Sequence, residues 1–185
     1  MPAPVLIIPG LGGSGPDHWQ SLWQARLPDA RRVEQADWEK PDRADWIARL
    51  DQAVASSKQP PVLVAHSLSC ALVACWAATH VRPVRAALLV APADIESDTH
   101  TPAEAHVFRP LPMTCLPFPA IVVASRDDPY VAFERAQEMA KAWGAELVDI
   151  GDAGHINTAS GYDEWPAGEQ LLWRLQAGKP AYQSA

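Results

Sequence analysis

The sequence has few cysteines, no long apolar run and no basic leader. Cys70, Cys75 and Cys115 form no CxxC pair, so we predict reduced structural thiols. The ~18 consecutive apolar residues of a membrane span do not occur, which predicts that the chain does not insert into membranes. The first ten residues, MPAPVLIIPG, lack the basic segment of a signal peptide. We therefore expect a cytoplasmic protein.

Clusters of lysine and arginine are also absent. The formal net charge is -7, which argues against nucleic acid as the main partner and leaves small molecules or proteins. The length of 185 residues and the 48% hydrophobic content suit one domain with a sizeable core. We predict a single α/β domain over residues 1–185, with a frayed tail at 178–185.

Short β-rich runs alternate with stretches that have apolar residues at helical spacing. Because the strong runs are apolar on both faces, they predict a doubly wound, mostly parallel α/β sheet of about six strands. The predicted strands are 5–8, 31–35, 62–65, 86–91, 120–125 and 145–150. Residues 93–119 carry many prolines and no sustained period, which is typical of a functional loop or a lid.

The stretch VLVAHSLS places a serine at the end of a buried strand. In a parallel sheet, ligands bind beyond the carboxyl ends of the strands, so Ser67 should lie at that edge. The small residues Ala65 and Ser69 flank it as in a nucleophile elbow, a strained turn from strand to helix. Ser69 also matches the pattern but would lie inside the helix. The alternative role for Ser67 is a helix N-cap.

An acid and a histidine follow in the chain order of α/β hydrolases. RDDPYV comes after the strand at 120–125, and GDAGHIN comes after the strand at 145–150. A serine needs a base, and the base needs a group that fixes its tautomer. His155 is the predicted base. Asp128 and Asp127 are both candidates for the acid, and Pro129 favours Asp128 by holding it extended.

The glycine loop after the first strand admits two functions. Gly10, Gly12 and Gly15 spell the GxGxxG of a dinucleotide site, with Glu34 or Asp37 as its acid. However, Pro16 and Asp17 look like a first helical turn that begins after the motif. As a hydrolase loop, it would supply an oxyanion-hole N–H from Leu11, with Gly12 as the alternative, opposite the N–H of Leu68.

These segments resemble a known family. PGLGGSGPDHWQSLW, VLVAHSLS, ASRDDPYV and GHINTASGYDEWPAGEQLL are similar to the small serine hydrolases of the α/β hydrolase superfamily grouped with the retinoblastoma-binding serine hydrolase. The resemblance implies a compact hydrolase without a cap domain and a triad of Ser67, Asp128 and His155. The pocket-protein motif LxCxE is not carried over, because the nearest match, LSCAL, ends at Leu72.

The sequence thus predicts a hydrolase of small carboxylic esters, amides or thioesters that works through an acyl-enzyme. No metal or cofactor is expected, because the triad and backbone donors supply the chemistry. Four residues near the predicted site are candidates to contact substrate: Gly12, His18, Trp19 and Trp165. For Trp19 and Trp165, packing in the core is the alternative. His66 is expected to point away from the edge, and either to pack in the core or to support the residues of the site. A binding protein without turnover is the alternative function.

Overall fold

A computed structural model describes residues 3–178. Six strands form one sheet in which every neighbouring pair is parallel, so the sheet is wholly parallel rather than mostly so. The strands are β1 (Val5–Ile8), β2 (Ala30–Arg32), β3 (Val62–His66), β4 (Ala86–Val90), β5 (Ala120–Ala124) and β6 (Glu146–Asp149). Their order in the sheet is β2-β1-β3-β4-β5-β6.

Helices cover both faces of the sheet, as a doubly wound fold requires. Alternate residues of β3 enter opposite layers: Leu63 and Ala65 pack in one apolar cluster, Val62 and Val64 in the other. The helices are α1 (Trp19–Arg26), α2 (Arg43–Ala55), α3 (Leu68–Ala77), α4 (Phe133–Trp143) and α5 (Pro166–Gln176). The first cluster includes residues of α2, α3 and α4, and the second includes residues of α1 and α5.

The proline-rich stretch at 93–119 is packed against the core rather than detached from it. It contains a 3₁₀-helix, Ala103–Phe108, and its side chains Phe108, Leu116 and Phe118 are buried in the cluster with α3 and α4. These apolar residues do not recur at the spacing of a helix or a strand, because the stretch is mostly irregular and contacts the core only at uneven intervals. Within residues 3–178 no separate cap domain is formed.

Five of the predicted strands agree with the structure to within one residue at each end, and the second strand does not. The second strand covers Ala30–Arg32 instead of 31–35, because Val33 is the last residue to donate a hydrogen bond to β1 and the chain then turns away. The predicted tail lies almost entirely outside the described residues.

Of the helices in the described part of the chain, none is long and apolar enough to cross a bilayer.

Candidate active site

Ser67 occupies a strained turn between β3 and α3. Its backbone has φ 57° and ψ −123°, a conformation that costs free energy for any residue with a side chain. The backbone N–H of Ser67 donates to the carbonyl of Val90 at 3.0 Å, which ties the turn to the neighbouring strand β4. Its side chain makes no capping hydrogen bond to the helix, so the N-cap role is not the one adopted. The hydroxyl is left available at the sheet edge.

Close packing explains why small residues surround the turn. A Cβ on Gly10 would lie 2.8 Å from the carbonyl oxygen of His66 and 3.0 Å from Cβ of Ser67, so only glycine fits there without displacement. Ser69 is fully buried, and its hydroxyl donates to the carbonyl of Pro9. Ser69 therefore holds the glycine loop against the turn and is not itself accessible.

Three side chains from three loops form one hydrogen-bonded chain. Nε2 of His155 lies 2.9 Å from Oγ of Ser67, and its Nδ1 lies 2.9 Å from both carboxylate oxygens of Asp128. A carboxylate only accepts, so Nδ1 carries the proton, and Nε2 of the neutral ring accepts from the serine hydroxyl. The side chain of Asp128 is fully buried. This arrangement can withdraw a proton from Ser67 and stabilise the resulting imidazolium.

The two adjacent aspartates have different partners. Asp128 also accepts the N–H of Tyr130 at 2.9 Å, which fixes its carboxylate toward His155. Asp127 is exposed and accepts from the hydroxyl of Ser125 and the N–H of Gly154, both at 2.7 Å. These bonds lower the pKa of Asp127 below its usual value. Asp127 therefore holds the loop at 150–157, called the histidine loop below, and does not contact the ring of His155.

Two backbone N–H groups are available opposite Ser67. Within residues 3–178, the N–H groups of Leu11 and Leu68 donate to no protein acceptor, and both residues line the cavity above the serine. The N–H of Leu68 is one of the donors that the first turn of a helix leaves unused. The alternative donor, Gly12, already donates to the carbonyl of Trp38 at 3.0 Å. Leu11 and Leu68 can thus bind an oxyanion together.

Arg32 of β2 holds the glycine loop in place by hydrogen bonds. The guanidinium of Arg32 donates to the carbonyls of Gly13 and Ser14 and to the hydroxyl of Ser21. Gly13 also packs on the indole of Trp38, which leaves no room for a Cβ there. Sequence reasoning missed Arg32, because the strand that presents it is short and has no apolar pattern.

His66 supports the residues of the site and also lines the cavity, although its side chain was expected to point away from the edge. Its Nε2–H donates to the backbone carbonyl of His155 at 2.9 Å, and its ring centre lies 4.8 Å from that of His155. Burial, and then the facing charge of His155, holds the pKa of His66 well below its usual value. The neutral ring therefore supports the histidine loop from below while lining part of the cavity.

A cavity of about 340 Å³ opens above Ser67. Gly12 and His18, two of the candidates to contact substrate, line it together with Tyr130, whose exposed ring lies 4.4 Å from the ring of His155 between centres. The irregular stretch at 93–119 contributes Ala93, Thr101, Pro102 and Ala105 to the wall. The position of these four residues was not readable from the sequence.

Trp19 and Trp165 do not line this cavity, and of their two predicted roles they adopt core packing. Trp19 is fully buried, its ring packs on Trp23 and Trp165, and its Nε1–H donates to the carbonyl of Ile156 at 2.9 Å. Trp165 is 7% exposed and belongs to the same apolar cluster. Both face the sheet because α1 and α5 cover it there. They support the histidine loop from within the core.

The geometry does not fit a dinucleotide site. The first helix begins at Trp19, four residues after Gly15, so the glycines do not form its N-terminus. Asp37 accepts the N–H groups of Glu39 and Lys40 in a local turn. In the described part of the chain, no group of three or more His, Cys, Asp or Glu side chains is placed to hold a metal ion.

Comparisons with known proteins identify the family. The family model described as serine hydrolase matches residues 5–174. A protein of Pectobacterium atrosepticum assigned as a YdeN-like hydrolase is 31% identical, with 96% of this chain and 92% of that one aligned and a TM-score of 0.83. The ydeN product of B. subtilis is 21% identical over 95% and 99% of the two chains, with a TM-score of 0.77.

A more distant structure shares the fold. Est1E of Butyrivibrio proteoclasticus, solved with ferulic acid bound, is 15% identical over 96% and 91% of the two chains, with a TM-score of 0.68. No match was found among curated proteins. The match of the family model to nearly the whole chain, on a six-stranded α/β sheet, shows that the protein belongs to the serine hydrolase family.

Proposed function

We propose that this protein is an esterase that hydrolyses small, uncharged carboxylic esters through an acyl-enzyme. The observation that carries the proposal is the chain of 2.9 Å contacts from Ser67 through His155 to Asp128, beside two unused backbone donors. Oγ of Ser67 attacks the ester carbonyl while Nε2 of His155 takes its proton. The N–H groups of Leu11 and Leu68 bind the oxyanion.

The second half of the reaction uses the same groups. The imidazolium of His155 gives its proton to the departing alcohol, which leaves the acyl group on Ser67. Water, deprotonated by Nε2 of His155, then attacks the acyl carbonyl, and the carboxylic acid leaves as Ser67 recovers its proton. Asp128 keeps the proton of Nδ1 in place and stabilises the cation, so the ring presents the correct nitrogen throughout.

The cavity wall supports the choice of uncharged substrates. Its lining residues include no Asp, Glu, Lys or Arg, so a charged acyl group would lose its hydration without gaining a partner. The small volume favours short acyl groups. Among structural relatives, Est1E binds ferulic acid and an esterase of Thermogutta terrifontis is phosphonylated by cyclosarin. A protein that only bound ligands would have no use for the strained backbone of Ser67.

Labelling with a fluorophosphonate tests the proposal directly, because only an activated serine reacts with this probe. We expect one adduct per chain, located on Ser67 by mass spectrometry, and turnover of p-nitrophenyl esters that falls as the acyl chain lengthens. Aminoacyl amides assayed in parallel would distinguish ester from amide specificity. A protein that neither takes up the probe nor hydrolyses any of these esters would instead be a binding protein.

Replacing Gly10 by alanine should impair the oxyanion site. The new methyl group would press on the carbonyl of His66 and on Ser67, so the loop that carries Leu11 must move. Loss of one oxyanion donor lowers kcat by about 10²- to 10³-fold, and we expect a decrease of that order on p-nitrophenyl acetate. Gly15→Ala is the matched control, because no atom lies within 4 Å of its added Cβ. Equal activity of the two variants would contradict this role of Gly10.

A further inference from the structure

His18 carries a buried nitrogen without a hydrogen-bond partner in the described part of the chain. The residue is 6% exposed and forms the N-cap of α1, where its Nδ1 accepts the N–H of Gln20 at 3.2 Å. Its Nε2 has no hydrogen-bond partner within residues 3–178. Among these residues, His18 and Gln35 have buried side-chain atoms with neither a hydrogen-bond nor an ion-pair partner, whereas Oε1 of Glu169 lies 3.0 Å from the guanidinium of Arg26. Of the two, His18 lines the cavity above Ser67 and Gln35 does not.

The hydrogen-bonding role of this nitrogen is fixed by the helix cap. A backbone N–H can only donate, so Nδ1 of His18 must be unprotonated to accept it, and the neutral ring holds its proton on Nε2. Burial, followed by the charges of His155 and Arg32, lowers the pKa of His18 to about 4. At neutral pH the ring is therefore uncharged, and Nε2–H is a donor.

Three other polar side chains of the cavity wall are already engaged within the protein. The hydroxyl of Ser14 donates to Gln20, and the hydroxyl of Thr101 bonds to the carbonyls of Asp94 and Ser97. His66 donates to the carbonyl of His155. A buried donor without an acceptor is unfavourable and uncommon, and a binding site is one of the places where it is retained.

We propose that Nε2–H of His18 donates a hydrogen bond to a second acceptor on the substrate, separate from the scissile carbonyl. This rests on the proposed esterase function and narrows its substrate class. The preferred esters carry an ether, hydroxyl or carbonyl oxygen close to the ester group. A purely hydrocarbon ester of the same size leaves the donor buried and unpaired, so it binds and reacts less well.

Two pairs of isosteric esters test this. p-Nitrophenyl methoxyacetate and p-nitrophenyl butyrate differ by one oxygen in the acyl group, and 2-methoxyethyl butyrate and n-butyl butyrate differ by one oxygen in the alcohol. Each ratio of kcat/KM is divided by the ratio of the hydroxide-catalysed rates, which removes the difference in intrinsic reactivity. We expect the wild type to prefer the ether in one pair by about 10- to 100-fold.

The variants His18→Asn and His18→Phe separate binding from stability. Asparagine retains the cap acceptor of α1 but is too short to present the same donor, and phenylalanine retains the ring volume without any donor. Both should bring the ether preference close to one, while His18→Asn keeps the unfolding temperature of the wild type. A structural role of His18 would change all four esters alike.

The outcomes distinguish the two proposals. An ether preference that is the same in wild type and both variants, or that is absent from both pairs while Ser67 still reacts with fluorophosphonate, would overturn the role of His18 alone. Absence of both probe labelling and ester turnover in the wild type would overturn the esterase function, and the role of His18 with it.

Discussion

Replacing Ser67 by alanine is expected to abolish labelling by fluorophosphonate and to lower kcat on p-nitrophenyl esters by on the order of 10⁶-fold. The variant keeps the oxyanion donors and the cavity but has no atom that can form the acyl-enzyme. It should fold, because within residues 3–178 the hydroxyl of Ser67 makes no hydrogen bond apart from the one to His155. Circular dichroism and thermal unfolding would confirm that the loss is chemical.

Ser69→Ala is the control for that experiment. The two serines share the same sequence pattern, yet Ser69 is fully buried and bonds to the carbonyl of Pro9. Removing its hydroxyl loosens the glycine loop without touching the nucleophile, so we expect retained labelling and a decrease in kcat of less than about tenfold. Probe labelling that survives in Ser67→Ala would refute the assignment of the nucleophile.

The second large effect concerns the choice between adjacent aspartates. Asp128→Asn should lower kcat by about 10⁴-fold, because an amide nitrogen facing Nδ1 forces the imidazole into the wrong tautomer while the geometry survives. Asp127→Asn should stay within about tenfold of wild type. The amide oxygen of asparagine can still accept from Ser125 and Gly154 and hold the histidine loop.

Both aspartate variants would be compared on one ester after their folding has been verified. The reverse ranking would assign the acid to Asp127. If neither variant lost activity, the acid would have to come from another strand. Asp94, which follows β4, pairs with Arg135 at 3.4 Å, so we expect Asp94→Asn to have a small effect on kcat.

Sequence patterns located the groups that follow directly from strand ends. Ser67, Asp128 and His155 come just after β3, β5 and β6, and parallel strands bring their carboxyl ends to one edge whatever the details of packing. The contacts of Arg32 and His66 could not be read in this way. Both act through hydrogen bonds to backbone carbonyls of distant loops, and those bonds leave no periodic pattern in the sequence.

The tryptophans also show what one sequence does not specify. Trp19 directly follows the glycine loop in the sequence, which suggested a place near the site, but its side chain faces the sheet. The direction of a side chain at the start of a helix depends on how the helix docks, which one sequence does not specify. The path of residues 93–119 could not be predicted either, because the apolar residues that hold this stretch against the core have irregular spacing in the sequence.

The position of β6 at the edge of the sheet has a consequence for inactivation by heat. Its strand, Glu146–Asp149, pairs with β5 on one side and is only partly buried, whereas β3 is buried between two neighbours. Folded proteins open locally, and elements with few buried contacts open at a lower free-energy cost than the central core. The serine therefore belongs to the most protected part of the molecule and the histidine to a less protected part. On heating, activity should therefore be lost when the sheet edge at β6 opens locally. At that temperature the amide hydrogens of the central strands should still be protected from exchange.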